Sequence, residues 1–213
     1  MTVDAVRVFV SYAHESEEHK ARVLDFATFL RGVGVEAVLD TWAANVRRDW
    51  SAWAIAEMTA AEFVLVVASD EYRRSGDGNG PAGENRGIQS EAALLRELVH
   101  RDRSTWLPKI LPVVLPGNEI DQIPLFLQPY TASHFRVPSI TMAGAEELLR
   151  VILTQPGHSP PEVNPDRPVL PARTGVQTGA PEPDTEEPVI NKITGTVHGK
   201  VIQAHTIQGD IHF

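Results

Sequence analysis

The chain has 213 residues, 42% of them hydrophobic, with a net charge of −9 and a pI near 5.3. That length holds one ordinary domain plus further segments, and a stretch of about 150 residues buries roughly two thirds of the surface of its unfolded chain. The acidic balance argues against nucleic acid and against an anionic membrane surface as partners, since both require a basic face. There are no cysteines, which excludes disulfides, thiolate metal sites and a cysteine nucleophile. The opening run, MTVDAVRVFVSYAHES, carries an acid at Asp4 and does not read as a signal peptide, and the apolar runs at 63–68 and 110–115 are too short to cross a bilayer. The expectation is a cytoplasmic protein.

Strand and helix signals alternate from the start. Residues 5–11 (AVRVFVS) form a short apolar run, read as a buried strand. Residues 16–33 place Val23, Phe26, Ala27, Leu30 and Val33 on one helical face, with Glu15, Glu17 and Glu18 at the dipole's positive end and Gly32 and Gly34 as stop signals. A second strand is predicted at 35–39, a short helix at 49–60 and a central strand at 62–68. The Gly- and Asn-rich stretch 74–86 reads as a mobile loop. A helix follows at 87–101, with Ile88, Ala92, Leu95 and Val99 on one face. The run 106–115 is a fourth strand whose prolines place it away from the sheet centre. A fifth strand at 134–137 and a helix at 143–153 complete the series. Strands separated by helices imply α/β architecture: a flavodoxin-like, doubly wound sheet of five parallel strands with helices on both faces. Ligands of such sheets sit beyond the carboxyl ends of the strands. Here that rim carries residues 11–14, 40–42, 69–72 and the start of the helix holding Glu91.

Composition changes after Leu153. Between 156 and 188 nine prolines are interspersed with Thr, Gly, Glu, Asp and Ala, a composition that cannot bury enough apolar surface to offset its ordering entropy. The division expected is therefore a domain at 1–154, a flexible linker at 155–189 and a separate C-terminal segment at 190–213. In that last segment apolar residues return at odd positions (Ile193, Val197, Val201, Ile207, Ile211, Phe213) between mostly polar even ones. This is a β period. A ten-residue quasi-repeat matches 196–201 to 206–211, with Lys200 opposite Asp210. Two such strands can face each other as an arch and stack on other copies, with Val, Ile and Phe in a dry zipper and Gln203 in a ladder. The alternative is an edge hairpin docked on the α/β domain; the detaching linker favours assembly.

The run from Val8 to Trp42, VFVSYAHESEEHKARVLDFATFLRGVGVEAVLDTW, resembles the opening of SEFIR domains, a branch of the TIR superfamily. Ser11, Tyr12 and His14 match its Ser-Tyr-x-His turn, Gly34 and Val35 its Gly-Val strand, and Leu39, Asp40 and Trp42 its Leu-Asp-x-Trp. Residues 62–75 and 87–99 resemble the family's third strand and the next helix. Two blocks depart: Gln89 and Ser90 precede Glu91 where a Trp is expected, and 43–48 lacks a Gly-rich acidic loop. The tail, through VIQA and TIQG, resembles the amyloid signalling motifs at the termini of bacterial immune proteins, themselves related to RHIM-type motifs.

These resemblances imply an immune-type signalling or effector protein acting by homotypic assembly. They imply as partners other copies of itself and a protein bearing a matching motif. TIR-type NAD hydrolases carry a Glu at the position of Glu91, where a carboxylate can stabilise the oxocarbenium-like sugar left when nicotinamide departs. NAD+ would be a substrate; no cofactor or metal is expected. The alternatives are a solvated Glu91 near a helix N-terminus and a domain that only binds like domains. Trp42 and Tyr12 sit where a nucleotide ring can stack, or pack under their own loops. Asp40 can hold a ribose hydroxyl or cap its loop, and Ser11 ends the neighbouring strand. His14 and His19 lack a third partner for a metal. Arg47 and Arg48 fall in the loop that makes homotypic contacts in TIR-like domains, or are a solvated basic pair.

Overall fold

The computed structural model describes residues 5–170. Strands β1 (Arg7–Ser11), β2 (Glu36–Val38), β3 (Phe63–Val67), β4 (Ile110–Val114) and β5 (Phe135–Arg136) form one parallel sheet in the order β2-β1-β3-β4-β5. The order reverses at β1, and the crevice outside the carboxyl ends of β1 and β3 is where such sheets take ligands. Helices α1 (Glu17–Gly32), α2 (Asp40–Ala43), α3 (Trp50–Ala60), α4 (Asp70–Gly76), α5 (Arg86–Arg101), α6 (Arg103–Trp106) and α7 (Glu146–Ile152) connect or follow the strands. The five-stranded α/β fold expected from the alternation is the fold observed.

The strands carry apolar residues on both faces, which is why they read as continuous runs rather than alternating ones. Val8, Val10, Leu65, Val67, Leu111 and Val113 point to one face and pack with Val23, Phe26 and Leu30 of α1 and Leu148, Leu149 and Ile152 of α7. Phe9, Val64, Val66, Ile110 and Val114 point to the other and meet Ala54 and Met58 of α3, Tyr72 of α4 and Ile88, Ala92 and Leu95 of α5. Helix α1 starts where Ser16 accepts from the backbone N–H of His19 at 3.1 Å, and it ends before Gly34, whose φ of +89° suits glycine.

β4 lies between β3 and β5, off the central strand β3 as its prolines led one to expect, and the ladder has room for Pro112 there. The backbone explains this. Val113 O accepts from Ala68 N on the β3 side, and Val114 O accepts from Val137 N on the β5 side. Because successive residues of a parallel strand bond opposite neighbours, Pro112 lacks its N–H toward β5, and β5 pairs only with Val113 and Val114. The proline therefore costs no ladder bond. One local expectation changes, at 74–86. Helix α4 occupies its first residues, capped by Ser69 Oγ accepting from Tyr72 N at 3.1 Å, and the remaining turn is pinned by Gln89 Nε2 donating to the carbonyls of Pro81 and Glu84.

Gly76 closes α4 against the 3₁₀ turns that follow β4. A Cβ there would lie 2.7 Å from Pro124 Cγ and 2.9 Å from Pro124 Cβ. Gly76→Ala should lower stability by about 1–3 kcal/mol through overpacking, read as a shift of the urea midpoint at unchanged m-value. After α7, residues 154–170 carry no helix or strand and are exposed. The remainder of the expected linker, and the expected tail, lie outside the described residues.

Candidate functional site

A cavity of about 540 Å³ opens at the carboxyl ends of β1 and β2, between α3 and α5. Its walls come from six places. Phe9 and Val10 belong to β1, Tyr12 and His14 to the loop after it, and Lys20 to α1. Asp40 and Thr41 open α2, Trp50, Trp53, Ala54, Ile55 and Met58 come from α3, and Gly87, Ile88, Ser90, Glu91 and Leu94 from α5. The size and the mixture of apolar wall with a few polar groups are those of a small-molecule site.

Glu91 lies one and a half turns into α5, beside Ile88 and Ala92, which bury that face of the helix. Its carboxyl is drawn inward by β1: Ser11 Oγ donates to Glu91 Oε2 at 2.6 Å. Because Ser11 spends its single proton there, Tyr72 OH donates to Ser11 Oγ, at 2.8 Å. Ser11 and Tyr72 are buried, so Ser11 supports Glu91 from behind and does not line the cavity. Burial pushes the Glu91 carboxyl up to about 7, against the opposing pull of the Ser11 hydrogen bond; the nearby Asp40 charge adds to the rise and His14 reduces it. A carboxyl poised near neutrality in a cleft marks a functional candidate.

Across the cavity Asp40 is heavily engaged. Its Oδ1 accepts from Tyr12 OH at 2.9 Å and from Thr41 N at 2.6 Å, and its Oδ2 meets His14 Nε2 at 2.7 Å. Burial disfavours its charge, yet the hydrogen bonds from His14 and Tyr12 outweigh that and hold it below the ordinary carboxylate value. Tyr12 is raised by burial, and it presents its ring, with the hydroxyl committed to Asp40. His14 is raised chiefly by its bond to Asp40.

Glu91, Tyr12 and Asp40 are thus brought together with Ser11 behind them. Trp42 is not: it is absent from the cavity wall, 38% exposed, and lies under the Arg31 guanidinium at 5.6 Å. The motif Leu-Asp-x-Trp reads as extended chain, in which residues two apart share a side. Here the chain turns helical at Asp40, and two residues along a helix are about 200° apart. Arg47 is exposed, whereas Arg48 is half-buried with its guanidinium 5.5 Å from the Trp50 ring and 5.6 Å from that of Trp53. Val197, Val201, Gln203, Ile207, Ile211 and Phe213 lie outside the described residues. No group of three potential ligands that could hold a metal occurs among the described residues, and none of their helices is long and apolar enough to cross a membrane.

The sequence reading missed the aromatic wall. Trp50 and Trp53 meet edge to face at 5.5 Å, and Trp53 meets Phe9 at 5.8 Å. Tyr72 was also missed as the anchor of Ser11, and His14 was weighed only as a metal ligand. The pairing of a Ser-Tyr-x-His turn with an Asp just past the end of the neighbouring strand was the signal that could have linked His14 to Asp40.

The strand order, with a cavity at the carboxyl ends of the strands, defines a TIR-like α/β domain. The family model described as SEFIR domain matches residues 6–148, and the chain belongs to that family, a TIR-like class of homotypic signalling domain. Among solved structures it is similar to one titled as the crystal structure of a prokaryotic SEFIR domain, at 27% identity and TM-score 0.53, over 75% of this chain and 100% of that one. It is also similar to the SEFIR domain of IL-17 receptor B, at 22% identity and TM-score 0.46, over 70% and 98%. No curated protein matches the chain.

Proposed function

We propose that this is an immune-type signalling effector whose SEFIR domain hydrolyses the N-glycosidic bond of NAD+ when copies are clustered through residues 190–213. One observation carries the reading: the Glu91 carboxyl, poised near neutrality, stands in the wall of an aromatic-lined cavity at the carboxyl ends of the strands. Nicotinamide is bound to C1′ through a cationic ring nitrogen, so it departs as a neutral molecule without prior protonation. What the reaction needs is stabilisation of the sugar cation as that bond breaks, and an ionised carboxylate in a partly desolvated cleft supplies it. Trp50, Trp53 and Tyr12 offer ring surface to the planar parts of the dinucleotide. Clustering supplies effective concentrations in the millimolar range, at which weak contacts between domains form.

A second reading, an adaptor that only binds like domains, is favoured by the Ser11 hydrogen bond that ties down one oxygen of Glu91 and by the exposure of Arg47 in the loop before α3. The two readings separate on one assay. Nicotinamide release from NAD+ is followed for the full chain, for a chain lacking residues 190–213, and for that shortened chain fused to an unrelated oligomeriser. Turnover by the full chain and the fusion, with a quiet shortened chain at low concentration, is the expected result. Absence of nicotinamide from a fusion that still self-associates leaves the adaptor.

A further inference from the structure

We propose that His14, oriented by Asp40, is the general base that removes the proton from the attacking water in this cavity; the inference rests on the NAD+ cleavage proposed above. The two polar groups beside His14 on that wall, Tyr12 and Asp40, are already committed. Tyr12 OH is donated to Asp40 Oδ1, which also holds the backbone N–H of Thr41, and Asp40 Oδ2 is occupied by His14 Nε2. Neither Tyr12 nor Asp40 is left free to take a proton from a ligand or a water. His14 is.

The 2.7 Å contact to Asp40 assigns the imidazole tautomer. A carboxylate only accepts, so Nε2 carries the hydrogen and Nδ1 keeps its lone pair. Nδ1 makes no hydrogen bond among the described residues. The side chain is 54% exposed, its ring lies 4.9 Å from that of Tyr12, and it shares the cavity wall with Glu91. A cavity-lining histidine with one nitrogen anchored on a half-buried carboxylate and the other without a partner among the described residues has the arrangement of a catalytic base and its orienting partner.

The chemistry has a place for it. The C1′–N bond breaks with its electron pair going to the nicotinamide nitrogen, and nicotinamide leaves neutral. Water oxygen forms the new bond to C1′, and the water's proton passes to His14 Nδ1 and from there to solvent. Overall NAD+ and water yield nicotinamide, ADP-ribose and one proton. Glu91 keeps its negative charge throughout, which it must do if that charge is to stabilise the sugar cation. Asp40 is a positioning residue that stabilises the imidazolium formed.

The charged groups facing His14 come from three helices. Asp40 of α2 and Glu91 of α5 favour its protonated form, and Lys20 of α1 opposes it; the Asp40 hydrogen bond is the largest influence and the net effect is upward. Two groups in the cavity must therefore lose a proton before the reaction runs, Glu91 and His14. The acid limb of log(kcat/KM) against pH should have a slope of two.

The test uses the clustered full chain of the wild type, His14→Gln and His14→Ala, with nicotinamide release followed between pH 5 and 9. His14→Gln should lower kcat by about 10²-fold or more with KM little changed, and its acid limb should fall to a slope of one, set by Glu91 alone. Added imidazole should restore turnover to His14→Ala in proportion to its concentration, which a merely structural histidine would not show. If the wild type turns over while His14→Gln keeps its kcat and a two-proton limb, or changes only KM, the base assignment is overturned and the reading of the cavity stands. If the clustered wild type releases no nicotinamide, both fall.

Discussion

Glu91→Gln should sharply slow nicotinamide release and, at the same pH, make the domain harder to unfold. Both effects come from burial. The Glu91 carboxyl has its folded-state value near 7, against an ordinary value of 4.5. Below about pH 4.5 it is neutral folded and unfolded, and contributes nothing to a pH dependence. As pH rises from there through 7, the unfolded chain releases the proton first, so stability declines. Above about pH 7.5 the folded domain holds a desolvated carboxylate at a cost of up to about 3 kcal/mol. Glutamine has nearly the same shape and still accepts from Ser11 Oγ, but carries no charge. Its gain should be about 1–3 kcal/mol at pH 8, several degrees in Tm, and smaller, under about 1 kcal/mol, at pH 5. Activity should fall on the order of 10²–10³-fold, the usual loss when a charge-stabilising group is removed. A Tm difference that is the same at pH 5 and pH 8 would show that Glu91 does not titrate in this range. Undiminished turnover would remove it from the reaction.

Phe26→Ala should be the most damaging single truncation on the α1 face of the sheet. Phe26 is fully buried among Val10, Leu30, Leu65 and Leu148, where neither α1 nor the sheet can close the space it leaves. The expected loss is about 3–5 kcal/mol, a large part of the 5–15 kcal/mol typical of a whole domain. At about 2–4 °C per kcal/mol, Tm should drop by roughly 10 °C or more. Phe26→Leu, which keeps most of the volume, should cost far less. Equal melting of the two variants would mean that α1 shifts to fill the gap.

How far the sequence carried the fold depended on the kind of signal. Apolar runs such as Phe63–Val67 and the stripe of Ile88, Ala92, Leu95 and Val99 in α5 are repeated local patterns, and each became the expected element. Pro112 placed β4 off the sheet centre, but not which neighbour would leave it unbonded, because that depends on where the adjoining strand begins, which is non-local. In the site, Glu91, Tyr12 and Asp40 were legible because they follow strands or open helices, and strand ends converge on one rim. Trp42 was misplaced by one unforeseen helical turn. Trp50 and Trp53 were illegible for another reason: α3, WSAWAIAEMTA, is apolar nearly all round, so no periodicity said which face the cavity would use. Helix α4 had a visible cue in Ser69 followed by Asp70 and Glu71, an N-cap with acidic first-turn residues, masked by the glycines further on.

The placement of the four tryptophans has an optical consequence. Trp50 and Trp53 line the cavity with a guanidinium over their rings, whereas Trp106 is buried under Lys109 and Trp42 stands outside. A nucleotide entering the cleft would approach only the first pair and quench their emission, leaving the other two as an internal standard. Intrinsic fluorescence therefore reports occupancy of the cleft without waiting for turnover, and it does so equally well in a variant whose chemistry has been removed.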